Sequence, residues 1–227
     1  MILTDLHSWP SSIPEAVALQ RDLAKQVRIQ PLETRSVSLV AGADVSCIRF
    51  DRRLWAAVVV LRLPDLQVVE VSYAQAEAQF PYIPGLLSFR ELPVIITALR
   101  NLKATPDLMI CDGQGTAHQR FFGLACHLGL WTHLPTIGCA KSRLVGEAQE
   151  PGSEAGCWSP LLYEHQTVGA VVRTRRNCQP LYVSPGNLID LKSALHWILS
   201  LCRNAKMPEP TRLAHLLVNQ YRKAGGS

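Results

Sequence analysis

The sequence predicts an α/β fold in which helices flank one mixed central sheet. Three observations predict it. Three strand-like segments follow one another, helical and short buried-strand patterns then alternate, and the 227 residues are 48% hydrophobic, enough for one large core. One domain over residues 1–227 is the expected organisation at this length.

The elements read in order. Pro14–Ile29 carries Ala16, Leu19, Leu23 and Val27 near helical spacing, with Ser12 as an N-cap. Val37–Cys47, Leu54–Leu63 and Gln67–Gln75 are strands, and Pro64-Asp65 makes a tight hairpin link between the latter two. Phe80–Gly85 is a stiff loop, because Pro81 and Pro84 fix φ and hold Tyr82-Ile83 extended. Ser88–Leu102 is a helix, either capped by Ser88 with Glu91 at the third helical position or, given Pro93, beginning near Leu92. Asp107–Asp112 is a short buried strand, Gly113–His118 a loop, Arg120–Leu130 a helix and Thr136–Ala140 another buried strand. Gly146–Gly156 is a surface loop, Val168–Arg175 and Leu181–Ser184 are strands, and Ile189–Cys202 and Thr211–Lys223 close the chain as helices separated by Pro208 and Pro210. The order β-β-β-α-β-α-β is that of ribonuclease-H-like folds.

Composition excludes several classes. Charged residues are 18% of the chain, too few for global disorder given its apolar content. The 23 Lys and Arg against 18 Asp and Glu give a net charge of +5, which permits a polyanionic partner without demanding one. Seven cysteines occur without a Cys-x-x-Cys, most in apolar company, so they read as free thiols of a reducing compartment rather than a zinc site. Asp5, His7 and Pro10 interrupt any N-terminal apolar run, and no apolar stretch approaches the ~20 residues of a membrane helix. A soluble cytoplasmic protein, monomeric and without membrane contact, is expected.

The chemistry is expected where acids stand in unwelcoming places. Asp44 lies inside Leu39-Val40-Ala41-Gly42-Ala43-Asp44-Val45, where a carboxylate is costly unless something compensates its charge. Asp112 ends the run Leu108–Cys111, at the strand end where open α/β sheets place their sites. Glu91 stands near a helix start after the proline-rich loop. A lone carboxylate of this kind is usually a cap or an ion-pair partner. Three that one sheet can gather repel one another, and a hard divalent cation such as Mg²⁺ relieves them. His118, in the glycine-containing loop Asp112–His118, reads either as a phosphate or proton partner or as a hydrogen-bonded turn residue. Lys141, after Ile137–Ala140, either reaches solvent or neutralises phosphorane charge. Arg173, Arg175 and Arg176 are either a solvated face or a phosphate contact.

Together these segments resemble the endonuclease V family over nearly the whole chain. Gly42-Ala43-Asp44-Val45-Ser46, Pro81-Tyr82-Ile83-Pro84-Gly85 running on through Leu86–Glu91, Asp112–His118 and Pro135–Lys141 are similar to its motifs in order, and Ser184-Pro185-Gly186 and Pro208–Arg212 echo its C-terminal pattern. Gln119 departs from the pattern, standing where many relatives have proline. The resemblance implies a ribonuclease-H-like fold and a Mg²⁺-dependent nuclease, with Mn²⁺ able to substitute, whose metal is held by Asp44, Glu91 and Asp112. It implies His118 and Lys141 beside the reacting phosphate and His215 at a further active-site position. It implies that Pro81, Tyr82, Ile83 and Pro84 form a wedge filling the gap left by an extruded base. Hypoxanthine is then expected in a small pocket lined by backbone near Leu87, Gly113 and Gly138. The expected partner is nucleic acid containing deoxyinosine or inosine, cut at the second phosphodiester 3′ to the lesion. An inosine-specific endoribonuclease and a non-cutting inosine-binding module stand as the alternatives.

Overall fold

The computed structural model describes residues 3, 5–33, 37–49 and 51–225. Their strands form one eight-stranded sheet in the order β3-β2-β1-β4-β5-β8-β7-β6. β1 (Leu39–Cys47), β2 (Arg53–Arg62) and β3 (Gln67–Glu77) form an antiparallel meander. β4 (Leu108–Cys111) and β5 (Thr136–Ala140) continue from β1 in parallel, and β8 (Leu181–Pro185), β7 (Gln166–Val172) and β6 (Trp158–Tyr163) are antiparallel again. This is the mixed α/β sheet that the element order predicts.

β2 shows why the sheet is covered on both sides. Leu54, Ala56, Val58 and Val60 pack with α2 (Leu87–Arg100), while the alternate residues Trp55, Ala57, Val59 and Leu61 pack with α5 (Glu209–Lys223). A strand buried on both faces reads as a continuous apolar run, and this one does. α3 (Leu124–Thr132) joins α2 on the first face, and α4 (Leu191–Leu201) covers the far half of the second. No helix among the described residues is long and apolar enough to cross a membrane.

Several boundaries differ from expectation, each for a physical reason. α1 spans Ile13–Ala24 and does not run to Ile29. Beyond its end Arg28 is tied through its N–H to Asn187 Oδ1 (2.9 Å) and through its carbonyl to the Leu188 N–H (2.7 Å), and these tertiary bonds replace helical ones. α2 starts at Leu87, so Glu91 is its fifth residue, and Pro93 lies within the helix without delaying its start. Ser88 is not the cap. α3 begins after Gly123, because His118–Phe122 forms a turn with Phe121 at φ +54°. β6, a segment to which the sequence reading gave no element, carries Pro160, which an edge strand tolerates because its missing N–H need not pair. β7 ends at Val172, before the expected Arg175.

Candidate active site

The sheet register builds the acidic centre. Parallel pairing sets Ala43 beside Cys111, so the next residues on each strand, Asp44 and Asp112, come side by side. Asp44 shares the strand face of Gly42, where α5 passes. A Cβ on Gly42 would lie 2.1 Å from the Pro210 carbonyl carbon, so only glycine admits this close crossing. One turn further along α5, His215 Nδ1 lies 2.7 Å from Asp44 Oδ2. Carboxylate oxygens of Asp44 and Asp112 and a ring nitrogen of His215 all fall within 4.8 Å of one another.

The charges in this cluster are only partly offset. Burial first, then the neighbouring Asp112, raises the Asp44 carboxyl above its ordinary range, against hydrogen bonds from His215 and the Val45 N–H. Glu91 stands outside the three-residue group but close to it. Burial, then the charges of Asp44 and Asp112, push its carboxyl up to about 8. The residues fit a hard divalent cation: two carboxylates and an imidazole converge, and a third carboxylate waits nearby with its charge suppressed. Lys141 donates to Asp112 Oδ2 at 2.5 Å. Burial pulls its pKa down, but Asp112 and Asp44 outweigh that and leave it raised, so its ammonium stays charged.

A cavity of about 360 Å³ opens beside Asp112 and Lys141. Tyr82, Ile83, Pro84, Leu87 and Gly113 line it. Gly138 does not. It lies beneath the 113–115 loop, where a Cβ would meet the Gly115 nitrogen at 2.4 Å, so its smallness lets that loop settle. Tyr82 is 69% exposed, so its ring is not part of the core. It also borders a second groove, with Pro81, Ile48, Arg52 and Arg90.

The loop bearing Tyr82 is pinned at both ends. Arg90 donates to the Phe80 carbonyl at 2.9 Å. The Gly85 carbonyl accepts from Gln20 Nε2 (3.1 Å), His118 Nε2 (3.0 Å) and Arg120 Nη2 (2.8 Å). Gly85 itself sits at φ +80°, and a Cβ there would strike the side chain of Gln119. His118 Nδ1 accepts from the Arg120 N–H at 3.1 Å, so both its ring nitrogens face backbone. Burial, then the nearby Arg120 charge, lowers its pKa to about 4 and keeps it neutral. Of its two sequence readings, the hydrogen-bonded turn residue is the one this geometry displays. Gln20 and Arg120 escaped the sequence reading. The signal for Gln20 was present: it lies four residues after Ala16, on the buried stripe of α1.

The arginine cluster near β7 is not a free basic patch. Arg173 is buried and donates to the Gly152 and Cys178 carbonyls and to Glu150, Arg175 donates to the Asn204 carbonyl, and Arg176 pairs with Glu154. Arg173 is an internal clamp, and its phosphate-contact reading is withdrawn.

A family model described as Endonuclease V matches residues 21–216. The chain belongs to the endonuclease V family. It is 48% identical over 214 residues to Endonuclease V of Alkalilimnicola ehrlichii, covering 94% of each chain, and 49% identical over 211 residues to that of Dehalococcoides mccartyi, covering 93% of this chain and 94% of the relative. Among solved structures it is similar to the endonuclease V of Streptomyces avermitilis, with 39% identity, a TM-score of 0.92 and 97% of each chain covered. The human endonuclease V structure superposes with a TM-score of 0.86 at 28% identity, covering 95% of this chain and all of that one. The Ciona intestinalis endonuclease V, 24% identical with a TM-score of 0.84 over 93% of this chain and 97% of that one, was solved in complex with a 23mer DNA containing an inosine followed by a ribo-adenosine. The chain is accordingly a nuclease of the deoxyinosine endonuclease type.

Proposed function

We propose that this endonuclease recognises deoxyinosine in nucleic acid and, with Mg²⁺, hydrolyses the second phosphodiester bond 3′ to it, leaving 3′-hydroxyl and 5′-phosphate ends. The observation that carries the proposal is the convergence of Asp44, Asp112 and His215 within 4.8 Å, next to a cavity walled by an exposed, anchored aromatic loop.

In this reading Asp44, Glu91 and Asp112 hold the ion, and Mn²⁺ substitutes for it. When bound, the ion supplies Lewis acidity toward the scissile phosphate and lowers the pKa of the attacking water. His215 orients Asp44 through their 2.7 Å contact. The Lys141 ammonium, held beside Asp112, offsets charge developing on the phosphate. His118 is a positioning residue: it gives its Nε2–H to the Gly85 carbonyl and steadies the loop that carries Tyr82.

The loop tip, Pro81 to Pro84, fills the gap left when the base turns out of the stack. Aromatic stacking returns about 1–3 kcal/mol against a flipping cost of a few kcal/mol, which is least for a damaged or mismatched base. The extruded hypoxanthine enters the cavity beside Leu87 and Gly113, over a loop that Gly138 supports from below. Beyond Tyr82, Arg52 and Arg90 offer cations along the strand's path. The protein acts as one domain and as a monomer, and its free thiols suit the cytoplasm.

The test is direct. Oligonucleotides carrying deoxyinosine or deoxyadenosine at one position are incubated with Mg²⁺ or EDTA, and the product ends are mapped. Nicking only with inosine and Mg²⁺, at the second bond 3′, is the expected result. Equal cleavage of both strands, or cleavage in EDTA, defeats the proposal. Matched RNA strands in the same assay decide between DNA and RNA as the working substrate.

A further inference from the structure

One side chain lining the base cavity has no part in the roles above. Ser88, on the first turn of α2, is buried, and its hydroxyl meets His127 instead of capping the helix. Ser88 Oγ lies 3.0 Å from His127 Nδ1. His127 is fully buried on α3, and its Nε2 lies 2.7 Å from Nε2 of His7. His7 Nδ1 lies 2.9 Å from the Ser8 carbonyl. The His7 ring is fixed from outside as well, edge-on to Trp131 with ring centroids 5.5 Å apart.

The protons on this chain follow by elimination. A carbonyl only accepts, so His7 Nδ1 carries hydrogen. Burial lowers the pKa of both rings, against the Ser8 contact in the case of His7, so each ring carries one proton. Nε2 of His7 is therefore a lone pair and accepts from Nε2–H of His127. That leaves His127 Nδ1 bare, and it takes the proton of the Ser88 hydroxyl. Ser88 has then spent its only donor, and to a group that reaches its oxygen from the cavity it offers lone pairs alone.

We infer that Ser88 reads the flipped base by accepting a hydrogen bond from the ring N1–H of a 6-oxopurine, with His127 and His7 as positioning residues that fix the hydroxyl. The inference deepens the proposed function and rests on its placing the base in this cavity. Adenine has a lone pair at N1, and two facing acceptors repel. Deamination converts that lone pair into an N–H, so the change that creates the lesion also creates the donor that Ser88 accepts. A site built to hydrogen-bond one group rejects the analogue that lacks it, because its own polar atom is left unpaired.

Two measurements test this. Long-range ¹⁵N NMR of histidine-labelled intact protein, without substrate, reads the tautomers: Nδ1–H on His7 and Nε2–H on His127 are expected, and Nδ1–H on His127 overturns the inference. The second compares nicking of strands bearing deoxyinosine or deoxynebularine, a purine lacking both the N1–H and the 6-oxygen. Ser88→Ala is expected to lower kcat/KM on deoxyinosine about tenfold, chiefly through KM, while sparing or raising it on deoxynebularine, whose N1 lone pair the Ser88 hydroxyl oxygen repels. His7→Phe, outside the cavity, is expected to move inosine selectivity the same way by freeing the His127 tautomer. Equal losses on both bases, or none on deoxyinosine, overturn the role of Ser88. A wild-type protein indifferent to inosine refutes the functional reading instead, so the two failures are told apart.

Discussion

Replacing Glu91 with glutamine is expected to stabilise the metal-free protein at alkaline pH. The Glu91 carboxyl has an ordinary value of 4.5 and is pushed to about 8 by burial and by Asp44 and Asp112. Between those values the unfolded chain has released the proton and the folded chain still holds it. The native state binds more protons, so stability falls as pH rises through this window and levels off above it. At about 1.36 kcal/mol per unit, the full gap corresponds to about 5 kcal/mol. Glu91 keeps some contact with solvent and its charge is coupled to two others, so relaxation reduces that ceiling to roughly 2 kcal/mol or more. Glu91→Gln has almost the same shape and no charge to suppress. Urea denaturation in EDTA from pH 5 to 9 measures the effect: the wild type loses stability across the range, and the variant stays flatter and gains at pH 8 to 9. Excess Mg²⁺ should narrow the difference, because the ion stabilises the wild-type carboxylate and gains less from an amide. A variant no more stable than wild type at pH 9 in EDTA refutes the reasoning.

The remaining predictions concern the site's supports. Asp44→Ala and Asp112→Ala each abolish nicking in Mg²⁺ while circular dichroism and inosine-strand binding persist; full activity in either removes that carboxylate from the mechanism. Gly42→Ala drives a methyl into the Pro210 backbone, so α5 must shift, at about 1–3 kcal/mol of stability and about a 100-fold loss of nicking as His215 leaves Asp44; thermal melts and rates matching wild type contradict the close crossing. Gln20→Ala strips two carbonyls, Gly85 and Phe122, of a donor and costs about 1–3 kcal/mol, with KM rising because the Tyr82 loop loosens; an unchanged KM speaks against the anchor. Arg52→Gln lowers the salt dependence of strand binding by about one counterion without altering kcat, read from binding isotherms at several salt concentrations.

The sheet was legible because its strands are local apolar patterns: β1, β2 and β5 run through unbroken buried residues that periodicity detects unaided. The carboxylates were legible for the opposite reason, as acids in apolar surroundings. What was not legible depends on contacts distant in sequence. α1 stops at Ala24 because Arg28 bonds to a segment 159 residues away, and nothing near Lys25 announces it. Arg173 reads as surface charge until the 149–152 segment folds over it. Gly138 was placed in the pocket wall because a glycine suggests close approach, and the approach is real, but to the 113–115 loop. Ser88 looked like a helix cap, the commonest use of serine at such a position, and only the burial of His127 behind it reveals another partner.

Because α5 supplies His215 from 171 residues beyond Asp44, the three-residue centre is assembled across the fold and not within one local motif. Strand register alone aligns the two aspartates, whereas the imidazole depends on how α5 crosses at Gly42. A disturbance of that crossing therefore parts the imidazole from the aspartates without unpairing a single strand.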